Sequence, residues 1–219
     1  MSDYIATTVY SFDCDGVVLN SNKMKLDAMF TAILSCGFTS REAESCIEFF
    51  QNNFGLSRYI HVNHFLDKIL FISGKTRDYF EKKILNSYSV IVSKNYVNAE
   101  FCEGFLDFMG NLDGPCNVVS GSDQVELIEV LKRKGLQPKF DYILGSPISK
   151  KDNLINLKKS YPESTLHLYF GDSIADLLAA KVAGYDFVGV LGYSLVASQL
   201  KTLCRTENYQ FVDLLTESI

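Results

Sequence analysis

The sequence predicts an α/β fold, a parallel sheet whose chain is interrupted after the first strand by a helical insertion. Three observations predict it. A β-branched and aromatic run, Tyr4 to Phe12, ends abruptly at Asp13-Cys14-Asp15-Gly16 and reads as a buried strand entering a tight turn. From about residue 20 to 95, apolar residues recur at helical spacing with no convincing strand between them. After about Ala99, short apolar strands alternate with single helices, the pattern of a parallel sheet wound with right-handed crossovers.

Within the insertion, Met24, Ala28, Met29, Ala32 and Ile33 mark one helix, and Ala43, Cys46, Ile47 and Phe50 a second. Phe65, Ile69 and Phe71 predict a third, and Phe80, Ile84, Leu85 and Tyr88 a fourth. Beyond it, Asn117 to Ser120 is a strand, and Asp123 to Lys134 a helix closed by Gly135. Tyr142 to Leu144 is the next strand, followed by a helix from Asp152 to Ser160. Leu166 to Phe170, a helix from Ile174 to Ala183 stopped by Gly184, and a strand from Phe187 to Val190 complete the alternation. The expected division is a Rossmann-like core of residues 1–18 and 99–219, with 19–98 as an inserted helical cap.

Composition excludes several classes. Twenty-one Lys and Arg against 26 Asp and Glu leave a net charge of −5, a poor surface for sequence-blind nucleic-acid or anionic-membrane binding. Disorder is excluded by a 47% hydrophobic content that includes 16 Phe and 12 Tyr. The six cysteines form no Cys-x-x-Cys pair, which fits neither a zinc site nor a disulfide framework and suggests a reducing compartment. No signal-like or membrane-spanning run is visible, so the expectation is a cytoplasmic protein, a monomer or weak dimer.

Ligands of open parallel sheets bind beyond the carboxyl ends of the strands. There the sequence places Asp13 and Asp15, then Ser120, then Lys150, then Gly171-Asp172-Ser173 with Asp176 close behind. Two bare carboxylates about 4 Å apart repel by about 4 kcal/mol at an effective dielectric near 20, and one lysine does not offset four of them. An all-oxygen pocket of this kind suits Mg²⁺. Plainer readings exist for each piece taken alone. Asp13 to Gly16 is also a turn, Ser173 and Asp176 also a helix capping box, and Lys150 also a surface lysine. A calcium loop starting at Asp13 fails, because Val18 and Met24 stand where it needs Gly and Glu.

Phe12-Asp13-Cys14-Asp15-Gly16-Val17, Val119-Ser120, Lys150 and Gly171-Asp172-Ser173-Ile174-Ala175-Asp176 match in order the four motifs of the haloacid dehalogenase (HAD) superfamily, which the whole chain resembles. In the third motif Lys150 and Lys151 are adjacent, and the spacing to Leu157 favours Lys150. A helical insertion between motifs one and two resembles the C1-capped subclass, which includes phosphoglycolate-type phosphatases and β-phosphoglucomutases. The resemblance implies Asp13 as nucleophile and Asp15 as general acid and base. It implies Mg²⁺ held by Asp13, the Asp15 backbone carbonyl and Asp172. Ser120, Lys150 and backbone N–H groups in the Gly16 and Gly121 turns would hold the phosphoryl oxygens. Asp176, with Ser173 beside it, would orient Lys150 or metal-bound water. The implied partner is a small phosphorylated metabolite.

Haloacid dehalogenation is disfavoured by Asp15, because that activity usually lacks the second aspartate. The expected activity is a phosphomonoester phosphatase, with a sugar phosphomutase or a catalytically silent binding protein as alternatives. Mutase-like relatives carry a linker histidine about ten residues after the motif-one turn, where Lys25 stands here, and this favours hydrolysis. Asn20-Ser21 departs from the Asp-Ser/Thr of many relatives. In the cap, Gly55-Leu56-Ser57-Arg58 resembles the loop that many C1 relatives insert into the site, making Arg58 a candidate substrate contact. His61 and His64 lack a third ligand for a metal, and His167 reads as a satisfied core histidine. Cys14 alternates to the opposite side of its strand and reads as core.

Overall fold

The structure, a computed structural model, describes residues 7–216. Six parallel strands form one sheet in the order β3-β2-β1-β4-β5-β6. They are β1 (Thr8–Phe12), β2 (Cys116–Asp123), β3 (Tyr142–Ser146), β4 (Leu166–Gly171), β5 (Asp186–Val190) and β6 (Gln210–Val212). The Tyr4–Ala6 part of the expected first strand lies outside the described residues.

Strand alternation assigns the two faces. Phe12, Val118, Phe170 and Val188, aligned across four neighbouring strands, enter one apolar cluster, while Val119, Tyr169 and Phe187 enter the other. The first face is covered by α5 (Phe105–Gly110) and α6 (Gln124–Arg133), the second by α7 (Lys150–Lys158), α8 (Ile174–Ala183) and α9 (Ala197–Glu207). Phe12 stacks on Phe170 with ring centroids 5.0 Å apart and meets Phe105 edge-on at 5.5 Å. Such ring pairs contribute about 0.5–1.5 kcal/mol each beyond the area they bury, and they brace the strand that carries Asp13.

The insertion contains α1 (Asn22–Ser35), α2 (Ser40–Asn52), α3 (Arg58–His64) and α4 (Gly74–Asn95). A reciprocal capping box of Thr39 and Glu42 starts α2. Met29, Ile33, Cys46, Phe50, Phe65, Ile84 and Tyr88 bury the helices' facing stripes. The two strands of chain leading into and out of this bundle pair antiparallel, Leu19 against Phe101, with Asn20 N–H donating to Glu100 O and Cys102 N–H to Val18 O.

Some local expectations are corrected. The third cap helix continues as a π-turn, Phe65–Ile69, and stops; Phe71 has a positive φ of 52° and is 79% exposed, so it is not on the buried stripe. The helix expected from Asp152 begins at Lys150, because the Ser149 side chain caps it by accepting from Asp152 N–H. The apolar pattern of the sequence does not mark α9 or β6. Cys14 is buried, as expected, and all six cysteines are buried and free. Among the described residues, no helix is long and apolar enough to cross a membrane.

Candidate active site

From β1 the chain runs on to β2 and β3 in one direction and from β4 to β6 in the other, so a crevice opens beyond the carboxyl ends of β1 and β4. Asp13 lies there, its N–H donating to Phe170 O at 2.8 Å. The chain then turns tightly, with Val18 and Leu19 N–H both donating to Cys14 O. Gly16 makes the turn at φ +79°, and a Cβ there would lie 2.1 Å from Asp172 Oδ2. Only glycine fits such a position.

Asp13, Asp172 and Asp176 offer carboxylate oxygens within 4.8 Å of one another, all buried. Lys150 bridges two of them, 3.2 Å from Asp13 Oδ2 and hydrogen-bonded to Asp176 Oδ1. Asp176 also accepts from Tyr169 Oη at 2.7 Å and from the Ser173 hydroxyl and N–H, so it is both the capping residue of α8 and the anchor of Lys150. Asp172 Oδ2 accepts from Asn22 Nδ2 at 2.6 Å, while its Oδ1 is buried without a partner. Burial, then the Asp176 charge, pushes the Asp13 carboxyl up to about 7 despite Lys150. Burial and the Asp13 charge likewise hold Asp172 well above the usual carboxylate range.

Asp15 is turned the other way. Its Oδ2 lies 2.6 Å from Lys25 Nζ and accepts from Ser122 Oγ at 2.8 Å, and its Oδ1 accepts from Ser21 Oγ. Burial alone would raise this carboxyl, but the charge and hydrogen bond of Lys25, with the two hydroxyls, bring it below the usual value. In all, four buried carboxylates face two buried ammonium groups. The unpartnered Asp172 oxygen, the adjacent Asp13 and this excess negative charge are the donor set a hard divalent cation fits.

Ser120 accepts from Ser122 N–H at 3.2 Å and lines a small cavity with Asp13, Asp15, Lys25, Gly121 and the cap residues Phe50, Phe54 and Tyr88. That cavity, about 30 Å³, has room for water but not for a phosphoryl group. The cap loop closes it. A Cβ on Gly121 would lie 2.4 Å from Gly55 O, and one on Gly55, where φ is +94°, would lie 2.3 Å from Ser173 Oγ. A groove of about 420 Å³ opens beside the cavity, between α3, the Ser146–Lys151 turn and α8.

Arg58 reaches the cavity wall, yet its guanidinium is bound to Glu126 at 2.5 and 2.7 Å and to Ser89 Oγ at 2.9 Å. His61 packs against Phe50 at 4.4 Å and His64 stacks on Phe49 at 3.6 Å, so the pair is part of an aromatic cluster. His167 is buried, but its Nδ1 lacks the partner expected of it. Lys151 pairs with exposed Asp152 at 3.6 Å, which leaves Lys150 as the lysine of the site.

The sequence pattern gives Asn22, Tyr169 and Glu126 no role, Ser21 a place only in the altered tail of the first motif, and Lys25 one only in place of a histidine; Ser122 enters the site beside them. A signal for two of these was present. Asn22 and Lys25 fall on the same helical stripe as Met29 and Ala32, so the buried face of α1 extends into polar residues at the end nearest the turn.

The family model for haloacid dehalogenase-like hydrolases matches residues 10–190. No curated protein matches significantly. Among solved structures, a Haemophilus somnus protein described as a predicted phosphoglycolate phosphatase is 18% identical, with 95% of each chain covered and a TM-score of 0.72. A β-phosphoglucomutase from Clostridium difficile is 19% identical over 95% of this chain and 92% of its own, with a TM-score of 0.69. A haloacid dehalogenase-like family hydrolase from Streptococcus pneumoniae is 19% identical over 89% and 90%, with a TM-score of 0.68. At these identities the likeness is one of fold, and chemistry has to be argued from the site.

Proposed function

The chain belongs to the haloacid dehalogenase-like hydrolase family, and from that premise we propose that it is a Mg²⁺-dependent phosphatase of small phosphomonoesters. On this reading the catalytic core lies within 1–18 and 99–219 and the cap within 19–98. The observation that carries this reading is the placement of Asp13 at the crevice, 3.2 Å from Lys150 and within a buried carboxylate cluster.

The first half-reaction joins an Asp13 carboxylate oxygen to phosphorus as the bond from phosphorus to the leaving oxygen breaks. Asp15 gives a proton to that leaving alkoxide. In the second half-reaction Asp15 takes a proton from water, whose oxygen bonds to phosphorus and releases phosphate and free Asp13. Lys150, Ser120 and the backbone N–H at Gly121 hold the other phosphoryl oxygens as charge shifts among them; the Gly16 N–H expected to join them is instead committed within its own turn, donating to Leu19 O at 2.8 Å. Asp13, the Asp15 carbonyl and Asp172 would hold Mg²⁺, which when bound screens the carboxylates from the phosphate. Asp176 keeps Lys150 aimed, and Ser173 keeps Asp176 in place.

As it stands, Asp15 is held as a carboxylate by Lys25, the form that accepts a proton from water. To donate in the first half-reaction it must come away from Lys25. Because the closed cavity does not admit a phosphoryl group, substrate entry requires the cap to move, and the same movement can release Asp15.

The direct test is phosphate release from a panel of phosphorylated sugars, nucleotides and two-carbon esters, with Mg²⁺ and with chelator. Chelator-sensitive phosphate release is the expected outcome. A sugar phosphate isomerised faster than phosphate appears, with activation by a sugar bisphosphate, would favour the phosphomutase instead. No turnover of any ester would contradict both.

A further inference from the structure

The cations at the wall of the catalytic cavity are Lys25 and Arg58, and each is already neutralised by a carboxylate of this chain. Lys25 pairs with Asp15, a residue of the site itself. Arg58 is different, because its partner Glu126 has no part in the chemistry. Glu126 comes from the first turn of α6, on the core side, and grips the cap's Arg58 with both oxygens. An acidic residue at that helical position ordinarily serves the helix end. Here Asp123 does so instead, accepting from Val125 and Glu126 N–H. The Glu126 carboxylate is therefore free to be spent on Arg58, whose side chain is 5% exposed and lies over the Tyr88 ring at 4.7 Å. The remaining cap-side wall is Phe50, Phe54, Gly55, Leu56 and Tyr88.

We propose that Glu126 is a specificity-determining residue: by occupying Arg58, it makes the pocket accept phosphomonoesters with small neutral leaving groups and reject those carrying a second anionic group. The inference rests on the phosphatase reading above and deepens it. A leaving-group carboxylate entering this pocket meets no uncommitted cation on its wall. When the cap closes over it, that carboxylate must either take Arg58 from Glu126, leaving a carboxylate stranded, or remain unpaired against the aromatic wall. A neutral hydroxylated or alkyl group faces neither cost.

The experiment uses two esters of matched size, 2-hydroxyethyl phosphate and phosphoglycolate, with the full chain and Mg²⁺, and an aryl phosphate as a generic substrate. The wild type is expected to favour 2-hydroxyethyl phosphate in kcat/KM by about tenfold or more, the discrimination a buried charge mismatch supports. Glu126→Gln should shift that ratio toward phosphoglycolate by about tenfold, and Arg58→Ala in the Glu126→Gln background should cancel the shift. Glu126→Ala repeats the comparison, and the melting temperature of each variant shows that it is folded. Wild-type preference for phosphoglycolate overturns the inference, as does a ratio unmoved in both folded Glu126 variants. Turnover of the aryl phosphate without turnover of 2-hydroxyethyl phosphate overturns it while leaving the phosphatase reading intact. No turnover of any of the three overturns both.

Discussion

Lys25 Nζ lies 2.6 Å from Asp15 Oδ2, an ion pair between side chains that are 4% and 6% exposed. It joins the first helix of the cap to the turn after β1, and Ser122 of the core adds a third member by bonding to both partners. Removing one half of a buried pair strands the other charge. Lys25→Ala should therefore cost about 3–5 kcal/mol of stability. In urea denaturation, the Asp15→Ala, Lys25→Ala double variant should lose much less than the two single losses added together. Additive losses would mean that the two groups do not stabilise one another.

Closure of the cap rests on a backbone contact that tolerates no side chain. A methyl group on Gly121 would meet Gly55 O at 2.4 Å and Leu56 O at 3.0 Å, both backbone atoms. Gly121→Ala should keep the core folded but hold the cap loop off the site. The expected result is a kcat/KM on a small phosphomonoester lower by roughly tenfold or more, since small misplacements of reacting groups cost that much. Unchanged turnover in Gly121→Ala would mean that this contact is not part of the reactive state.

His61 supplies a pH dependence. It is fully buried among Phe49, Phe50 and Phe65, neither ring nitrogen has a hydrogen bond of good geometry, and burial pulls its pKa down to about 3 from 6.5. Between those values the unfolded chain binds a proton that the folded chain does not, so His61 lowers stability as pH falls from 6.5 toward 3. His61→Leu removes that dependence and fills the same apolar site. Between pH 7 and 5 the variant should gain about 2 kcal/mol relative to wild type, from 1.36 kcal/mol per pH unit below 6.5. Parallel stability losses in the two proteins would show that His61 does not titrate in this way.

The core of the site was legible because its residues sit where a strand ends, and strand ends can be read from apolar runs. Asp13 and Asp172 lie just beyond the carboxyl ends of β1 and β4 and Lys150 opens the helix after β3, while Ser120 lies within β2, which runs on to Asp123. Asp176 was legible as both a capping residue and a partner for Lys150, and it is both. What a single sequence does not carry is the pairing of side chains distant in the chain. Arg58 could be placed in a cap loop, but its partner Glu126 stands 68 residues away on a core helix. The same holds for Asn22, 150 residues from Asp172. In the fold, β6 was missed because its three residues, Gln210 to Val212, are too short a run to show alternation. Phe71 was misplaced because its apolar character suggested a buried helix face, whereas the helix ends before it.

The central claim is that Asp13 attacks phosphorus. It is tested most directly by quenching the working enzyme in acid with a phosphomonoester whose phosphate is isotopically labelled, and locating the label by peptide mass spectrometry. The account predicts label on the peptide carrying Asp13 in the wild type, none in Asp13→Asn, and no phosphate release by that variant although it melts like wild type. Label on another residue, or steady phosphate release by Asp13→Asn, would contradict it.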